Sequence, residues 1–291
     1  MNILISGASG YLGSRLVESL SSAHNVVALI RSSSSTVRLQ NLPVSIICHD
    51  KEGALDEVFR TYKPEIIINT VTLYGRNDEP ISALIDANIG FPIELLALAK
   101  KYRCKVFINT GTSLPDDISS YALTKNTFVK LAKLNTGHTL KFINVALEHF
   151  YGPSDNSSKF TSYVINQCLN GEDVQLTNGN QRRDFIYIDD VLSAYKIILS
   201  NLDKLERFET IPLGSGTCPT VREFVETVHS CIDTKSKLEF GKVEMRENEL
   251  MHSCADISRL SELGWVCVFS LVRGVECIKQ NSRFKGNDGR V

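Results

Sequence analysis

What this 291-residue chain lacks narrows the field first. Its 32 Lys and Arg face 33 Asp and Glu, for a formal net charge of −1. Without a basic surplus there is no electrostatic reason to propose nucleic acid or an anionic membrane as partner. The eight cysteines, at 48, 104, 168, 218, 231, 254, 267 and 277, include no C-x-x-C pair. Neither a zinc site nor a disulfide framework is indicated, no metal is expected, and the thiols read as small core residues in a reducing compartment. No apolar stretch is expected to be long enough to span a bilayer, and the first residues already read as a core strand, leaving no room for a signal peptide. A cytoplasmic location is the inference. There are no internal repeats, and no low-complexity tract beyond Ser32 to Ser35. Hydrophobic content of 43% and charged content of 22% suit a soluble globular enzyme, long enough for a nucleotide domain with a smaller lobe.

Against those absences stands one dense stretch. Ile3, Leu4 and Ile5 predict a strand buried on both faces, as in a parallel sheet. Glycines follow at 7, 10 and 13, and Leu12, Leu16, Val17 and Leu20 then fall on one side of a helix. In a nucleotide-binding turn each glycine has its own task. Gly7 permits the tight turn, Gly10 lets backbone approach a pyrophosphate, and Gly13 lets the helix pack close to the strand. The helix N-terminus then offers free N–H groups to phosphate. Spaced glycines alone are a weak signal, but strand, loop and helix in this order make a dinucleotide the expected ligand. Gly7, Ser9, Gly10, Tyr11, Leu12 and Gly13 are its expected lining.

The alternation continues. Residues 25–30 predict a second strand, ending at Arg31 and the serines. A carboxylate at this point suits the 2′-hydroxyl of NAD, a cation the 2′-phosphate of NADP. Arg31 therefore favours NADP(H); a solvated arginine in a loose loop is the plain alternative. Strands are expected over 44–50, 64–71 and 105–110, with helices over 51–62 and 80–103. The predicted fold is α/β, a Rossmann-type doubly wound parallel sheet with a smaller C-terminal α/β substrate lobe. Ligands bind outside the carboxyl ends of such strands. Asp50, Thr70, Val71 and Thr110 fall there as cofactor candidates, and Tyr74 and Arg76 follow the fourth strand as substrate candidates.

Tyr121 and Lys125 stand one turn apart near a predicted helix start at Ser119–Ser120. A phenol is a useful general acid near neutral pH only if its pKa is lowered, and a cation at i+4 does that. The bare spacing is more often a surface pair. Behind a nucleotide loop, and with Thr112 just past the fifth strand, it marks Thr112, Tyr121 and Lys125 as a catalytic set, with Tyr121 and Lys125 also on the cofactor.

With Gly7-x-x-Gly10-x-x-Gly13, Thr112 and Tyr121-x-x-x-Lys125 in hand, the chain resembles the extended short-chain dehydrogenase/reductase superfamily. The resemblance runs over nearly the whole chain. Residues 147–153 are similar to that family's R-Y-F-N-V-Y-G-P segment, 181–191 to R-D-F-x-Y-V-x-D-V, 213–216 to N-x-G-x-G, and 254–265 to A-D-x-S…L-G-W. These segments mark the nucleotide-sugar-modifying branch. Residues 66–70, 74–76, 79–80, 112–115, 147–152 and 246–251 most resemble the CDP-paratose synthases, with the CDP-abequose synthases next. The resemblance implies NADPH-dependent reduction of the C4 keto group of CDP-4-keto-3,6-dideoxy-D-glucose, a step towards O-antigen sugars of lipopolysaccharide. Tyr121 would protonate the alkoxide, Thr112 hydrogen-bond it, and Lys125 hold the nicotinamide ribose. His149, where most relatives have Asn, is carried over to the substrate diphosphate and to the cofactor. Arg183 and Arg246 are carried over as substrate contacts, with a structural Arg183–Asp184 salt bridge as the alternative. Lys159, on a polar loop before a helix, is a candidate phosphate contact, with a solvated lysine as the plain alternative. A homodimer joined by a four-helix bundle is the family expectation.

The domain expectation is a nucleotide-binding domain at 1–148 with returning segments about 182–217, a sugar-binding lobe at 149–181 and 218–281, and a mobile tail at 282–291. Among rivals, a 4,6-dehydratase would carry Asp-Glu after Thr112, where Ser113-Leu114 stand. A C4 epimerase retaining NAD fits Arg31 poorly. A non-catalytic dinucleotide sensor would have no need of Thr112, Tyr121 and Lys125 together.

Overall fold

Ile- and Val-rich strands alternate with amphipathic helices in the computed structural model, which describes residues 1–287. The chain divides into two units: Met1–Leu147 with Leu199–Ile211, and Glu148–Ile198 with the chain from Pro212 onwards. The returning segment is thus 199–211, shorter than the expected 182–217, because the helix after Tyr187 groups with the second unit.

In the first unit the elements run β1 (Asn2–Ser6), α1 (Tyr11–Ser21), β2 (Asn25–Ile30), β3 (Ser45–Cys48), α2 (Ala54–Tyr62) and β4 (Ile66–Asn69). There follow α3 (Ile81–Lys101), β5 (Val106–Thr110), α4 (Ser120–Asn135) and β6 (Lys141–Leu147). Parallel pairing links β3 to β2, β2 to β1, β1 to β4, β4 to β5 and β5 to β6. Strand Phe208–Leu213 completes a seven-stranded sheet beside β6. The order reverses between β1 and β4, so a crevice opens at the carboxyl ends of those two strands. Ile3, Leu4, Ile5, Ile67 and Ile68 are fully buried, as strands covered on both faces require. Phe59, Phe107, Phe128 and Phe142 fill the core on one side of the sheet, with Phe107 stacked on Phe142 at 5.5 Å. The third strand is shorter and more exposed than predicted, since it forms the sheet edge.

One expectation fails. Helix α3 is 21 residues long, and by length and composition alone it is long and apolar enough to cross a membrane. The helix runs from Ile81 to Lys101 as the 80–103 pattern predicts, accommodating Asp86–Gly90 as a π-turn. It buries Leu84, Leu95, Leu96 and Ala99, while Ile81 and Ile85 stay exposed.

The second unit pairs β7 (His149–Tyr151) in parallel with β9 (Phe185–Tyr187), and β8 (Val174–Leu176) with Leu238–Phe240. Its helices are Phe160–Asn170, Ile188–Ser200, Val221–Ile232, Ser258–Glu262 and Leu271–Asn287. Phe224 stacks on Phe185 at 4.0 Å. A capping box, Thr220 with Glu223, starts the helix at Val221, satisfying N–H groups that its first turn leaves open. The stretch expected to be mobile is helical to Asn287, and residues 288–291 lie outside the described residues. The cysteines also depart from expectation. Cys104 and Cys168 are buried, but Cys48 is exposed on the edge strand, and the others are half-buried.

Candidate active site

The glycine turn has the geometry its spacing requires. Gly7 has φ +71°, and a Cβ there would meet Thr70 Oγ1 at 2.8 Å and the Val71 nitrogen at 2.9 Å. A Cβ on Gly13 would lie 2.2 Å from the Gly7 carbonyl oxygen, so any larger residue would push α1 off β1. Gly10 caps α1 without a side chain, and no acidic residue occupies the first turn. The N–H groups at that helix end are thus left to an anion. This cradle fits the pyrophosphate of a dinucleotide. Tyr11 and Leu12 are buried behind it, and Ser9 is half-buried.

Arg31 is exposed at the end of β2. Asp50, expected near adenine, accepts from the Ser32 N–H at 3.0 Å and from the Ser32 hydroxyl; those bonds hold its carboxyl below the usual range. The carboxylate thus shapes the loop after β2. Arg38, which the sequence reading did not single out, lies over the Tyr11 ring at 5.7 Å.

Across the carboxyl ends of four neighbouring strands runs a buried ladder. The Ser6 hydroxyl donates to Asn69 Oδ1 (2.8 Å), Asn69 Nδ2 to Asn109 Oδ1 (3.0 Å), and Asn109 Nδ2 to Asn144 Oδ1 (2.9 Å). Strand register puts Ser6 opposite Asn69, Asn69 opposite Asn109 and Asn109 opposite Asn144. The residues that follow, Gly7, Thr70, Thr110 and Val145, are thereby held in line. Thr70 turns its own hydroxyl back to the Ser6 carbonyl at 2.7 Å.

Tyr121 sits at the start of α4, where the Ser119 hydroxyl accepts from the Ala122 N–H at 3.2 Å. The Thr112 and Thr72 hydroxyls lie near its phenol, and the Thr72 hydroxyl is buried with no hydrogen-bond partner. Thr112 is buried and also accepts from the Leu114 N–H at 3.2 Å. Tyr74 packs on Tyr121 with ring centroids 4.9 Å apart, and Arg76 covers Tyr74 at 4.6 Å. Lys125 is buried and donates to the Val71 carbonyl at 3.2 Å. Asn88, on the π-turn of α3, bonds both the N–H and the carbonyl of Leu73 at 2.9 Å, and reaches Thr124 at 3.0 Å. It ties the Tyr74 loop to α4. The sequence offers little signal for Asn88 beyond a polar residue in an apolar helix.

The electrostatics correct one expectation. Burial pushes the Tyr121 phenol above its ordinary value, outweighing the Thr72 and Thr112 hydroxyls and the Arg76 charge, which pull it down. Lys125 is itself lowered to about 8 by burial. Desolvation opposes both charged forms, so the i+4 ammonium does not bring the phenol below its usual range in the resting chain.

The remaining candidates lie in the second unit. His149 Nδ1 is 3.6 Å from a Glu148 oxygen, and the other Glu148 oxygen accepts from the Ser253 hydroxyl at 2.7 Å. Lys159 pairs with Asp155 at 3.0 Å and lies 3.6 Å above the Phe150 ring. Arg183 is buried and paired with Glu249; burial lowers its pKa against the pull of Glu249. Arg246 is exposed in the turn that leads to Glu249. Asp184, fully buried, accepts from the Ser215, Gly216 and Ala255 N–H groups. Burial nevertheless raises its pKa above the usual range.

A parallel sheet with a glycine cradle at its reversal point and a Thr, Tyr and Lys set at the next strand ends defines a nucleotide-sugar-type short-chain dehydrogenase/reductase. Residues 3–214 match the NAD dependent epimerase/dehydratase family, and the chain belongs to it; its cofactor is a nicotinamide dinucleotide. The chain is 34% identical to CDP-abequose synthase of Salmonella typhimurium, over 94% of this chain and 96% of that protein. It is 26% identical to the CDP-abequose synthase of Yersinia pseudotuberculosis, over 86% and 91% of the two chains. Among solved structures, UDP-glucose 4-epimerase of Thermotoga maritima with UDP-glucose superposes with a TM-score of 0.86 at 21% identity, over 98% and 99% of the two chains. That likeness shows the fold.

Proposed function

We propose that the chain reduces the C4 keto group of CDP-4-keto-3,6-dideoxy-D-glucose with NADPH, yielding CDP-paratose for O-antigen assembly. The observation that carries the reading is the convergence of Thr112, Tyr121 and Lys125 beside the glycine cradle. Bound in that cradle, the reduced nicotinamide supplies the hydride. Tyr121, kept protonated by burial, gives its proton to the oxygen on C4. Thr112 donates a hydrogen bond to the same oxygen and holds the carbonyl in place. Lys125, one turn along α4, holds the nicotinamide ribose. Arg31 takes the 2′-phosphate, with Arg38 close to the same cradle. Tyr74 and Arg76, packed on and near Tyr121, border the sugar. Arg183, Arg246, Lys159 and His149 serve the substrate diphosphate, Arg183 by exchanging its Glu249 partner for phosphate oxygen.

The family resemblance of residues 66–80 supports the paratose configuration. The 34% identity to a CDP-abequose synthase favours a second reading, in which the same ketone is reduced to the opposite C4 configuration. Incubation with NADPH and the keto sugar, followed by NMR of the product's C4 coupling constants, separates the two. Absence of NADPH consumption with any 4-keto nucleotide sugar would refute both. A homodimer through α3 and α4 accompanies the reading. It is supported by Ile81, Ile85 and Leu123, which are 54%, 44% and 49% exposed on those helices, an apolar face that a second copy would cover.

A further inference from the structure

The chain that leaves β4 is clamped to α4 almost residue by residue. Lys125 donates to the Val71 carbonyl at 3.2 Å. Asn88 bonds both the N–H and the carbonyl of Leu73 at 2.9 Å and reaches Thr124, the neighbour of Lys125, at 3.0 Å. The Tyr74 ring lies 4.9 Å from the Tyr121 ring. Thr72 stands in the middle of this clamp. One neighbour is tied to Lys125, the other to Asn88, and the ring two residues on packs on Tyr121. The clamp thus holds Thr72 against the helical turn that presents the phenol and the ammonium. Other hydroxyls there are engaged: Thr124 donates to the Ser120 carbonyl at 2.8 Å, and Thr112 accepts from the Leu114 N–H at 3.2 Å. The Thr72 hydroxyl is buried without a hydrogen-bond partner. An unmet buried hydroxyl is unfavourable, and beside reacting groups it points to a bond made at another stage of the cycle.

We infer that Thr72 is a further catalytic residue, whose hydroxyl is unbonded beside neutral Tyr121 and donates to the phenolate oxygen once Tyr121 has given up its proton. The inference rests on the reduction proposed above, with Tyr121 as proton donor. The O–H bond of Tyr121 breaks and a new O–H bond forms on the substrate oxygen. The electron pair left on the phenolate accepts a hydrogen bond from Thr72, which keeps its own proton. Only the charged form gains this bond, so it lowers the barrier without tightening the ground state. The two threonines then divide the work, Thr112 on the oxygen that receives the proton and Thr72 on the oxygen that loses it. The charges around the phenol are Lys125 on the same helix and Arg76, which covers Tyr74 at 4.6 Å. Both remain in place when Thr72 is changed, so a change at Thr72 reads the hydroxyl itself.

The test places 3,5-difluorotyrosine at Tyr121 in the full chain and titrates it by fluorine NMR. Its phenol ionises well below that of tyrosine, which brings the titration into the range where the fold is stable. Thr72→Val keeps the shape and removes the hydroxyl. It should raise the midpoint by about one pH unit, a tenfold loss of phenolate, and Thr72→Ser should restore it. In the unlabelled enzyme with NADPH and the keto sugar, Thr72→Val should lower kcat about tenfold at unchanged NADPH affinity. Thr72→Ser should recover most of that rate. An unchanged midpoint in Thr72→Val, or an equal rise in Thr72→Ser, would overturn the inference. Thr72→Ala, read in the same way, decides if valine disturbs the clamp. The titration needs no sugar, so it decides the role of Thr72 even if no 4-keto sugar is reduced, a result that would remove the reductase reading instead.

Discussion

Asn109→Leu tests the buried ladder that aligns the strand ends. Asn109 is fully buried and uses both ends of its amide, accepting from Asn69 at 3.0 Å and donating to Asn144 at 2.9 Å. Leucine has nearly the same volume, so the loss is mainly polar. It strands one donor on Asn69 and one acceptor on Asn144, each costing about 1–3 kcal/mol when buried without a partner. The added apolar surface recovers about 1–2 kcal/mol, leaving a net destabilisation of about 3 kcal/mol. For a protein of this size that lowers the melting temperature by roughly 6–12 °C. Because Thr70 and Thr110 follow the ladder directly, NADPH affinity should fall with it. Asn109→Leu combined with Asn144→Leu should cost less than the sum of the single changes, since two stranded partners then vanish together. Thermal melting and fluorescence titration with NADPH measure both effects. A variant that melts within about one degree of wild type and binds NADPH equally would refute the ladder's role.

Three further outcomes follow from the site. Tyr121→Phe should retain NADPH binding and lower turnover about 10²–10⁴-fold, the usual worth of a positioned acid; undiminished turnover would mean the proton donor lies elsewhere. Arg31→Asp should weaken NADPH about 10–100-fold, the worth of a charge-assisted phosphate contact, and leave NADH nearly unchanged, as paired titrations would show. Lys125→Met should abolish most activity yet stabilise the fold. The folded pKa of Lys125 is lowered to about 8, so the buried charge opposes folding fully below pH 8. That penalty fades between pH 8 and about 10.5 as the unfolded side chain catches up. The variant should gain about 2 kcal/mol at pH 7 in urea unfolding, after the lost Val71 bond is deducted, and the gain should shrink by pH 9.5.

How much of this was legible depended on the range of the cause. The clash at Gly13 is local, set by the Gly7 carbonyl six residues back, and is legible from spacing within a strand–loop–helix order. The clash at Gly7 comes from Thr70 and Val71 after β4, which only the folded sheet brings there. The strands and the doubly wound order followed from apolar runs of matching length. The Ser6–Asn69–Asn109–Asn144 ladder was not read, although I-N-T recurs at 68–70 and 108–110. Its meaning needs the register of four strands, which no single segment specifies. Arg38 and Asn88 were missed for a similar reason, one lying on a short turn and the other on the π-turn of a long helix.

The Tyr121 phenol, raised by burial, stays protonated through the neutral range, and a donor whose pKa lies far above the operating pH is a weaker acid than one near it. The shift therefore costs reduction and epimerisation alike. The group near neutrality is Lys125, at about 8. Its ammonium is present below that value and lost above it. The kcat/KM for NADPH, which reports the free enzyme, should accordingly be flat below pH 7 and fall through pH 8. Lys125→Arg, with a guanidinium that does not titrate in this range, should abolish the fall while retaining part of the rate. A rate that climbs from pH 7 to 9 in wild type would mean that a base is being unmasked. The assignment of Tyr121 as proton donor would then give way to an oxidation-first cycle on the same three residues.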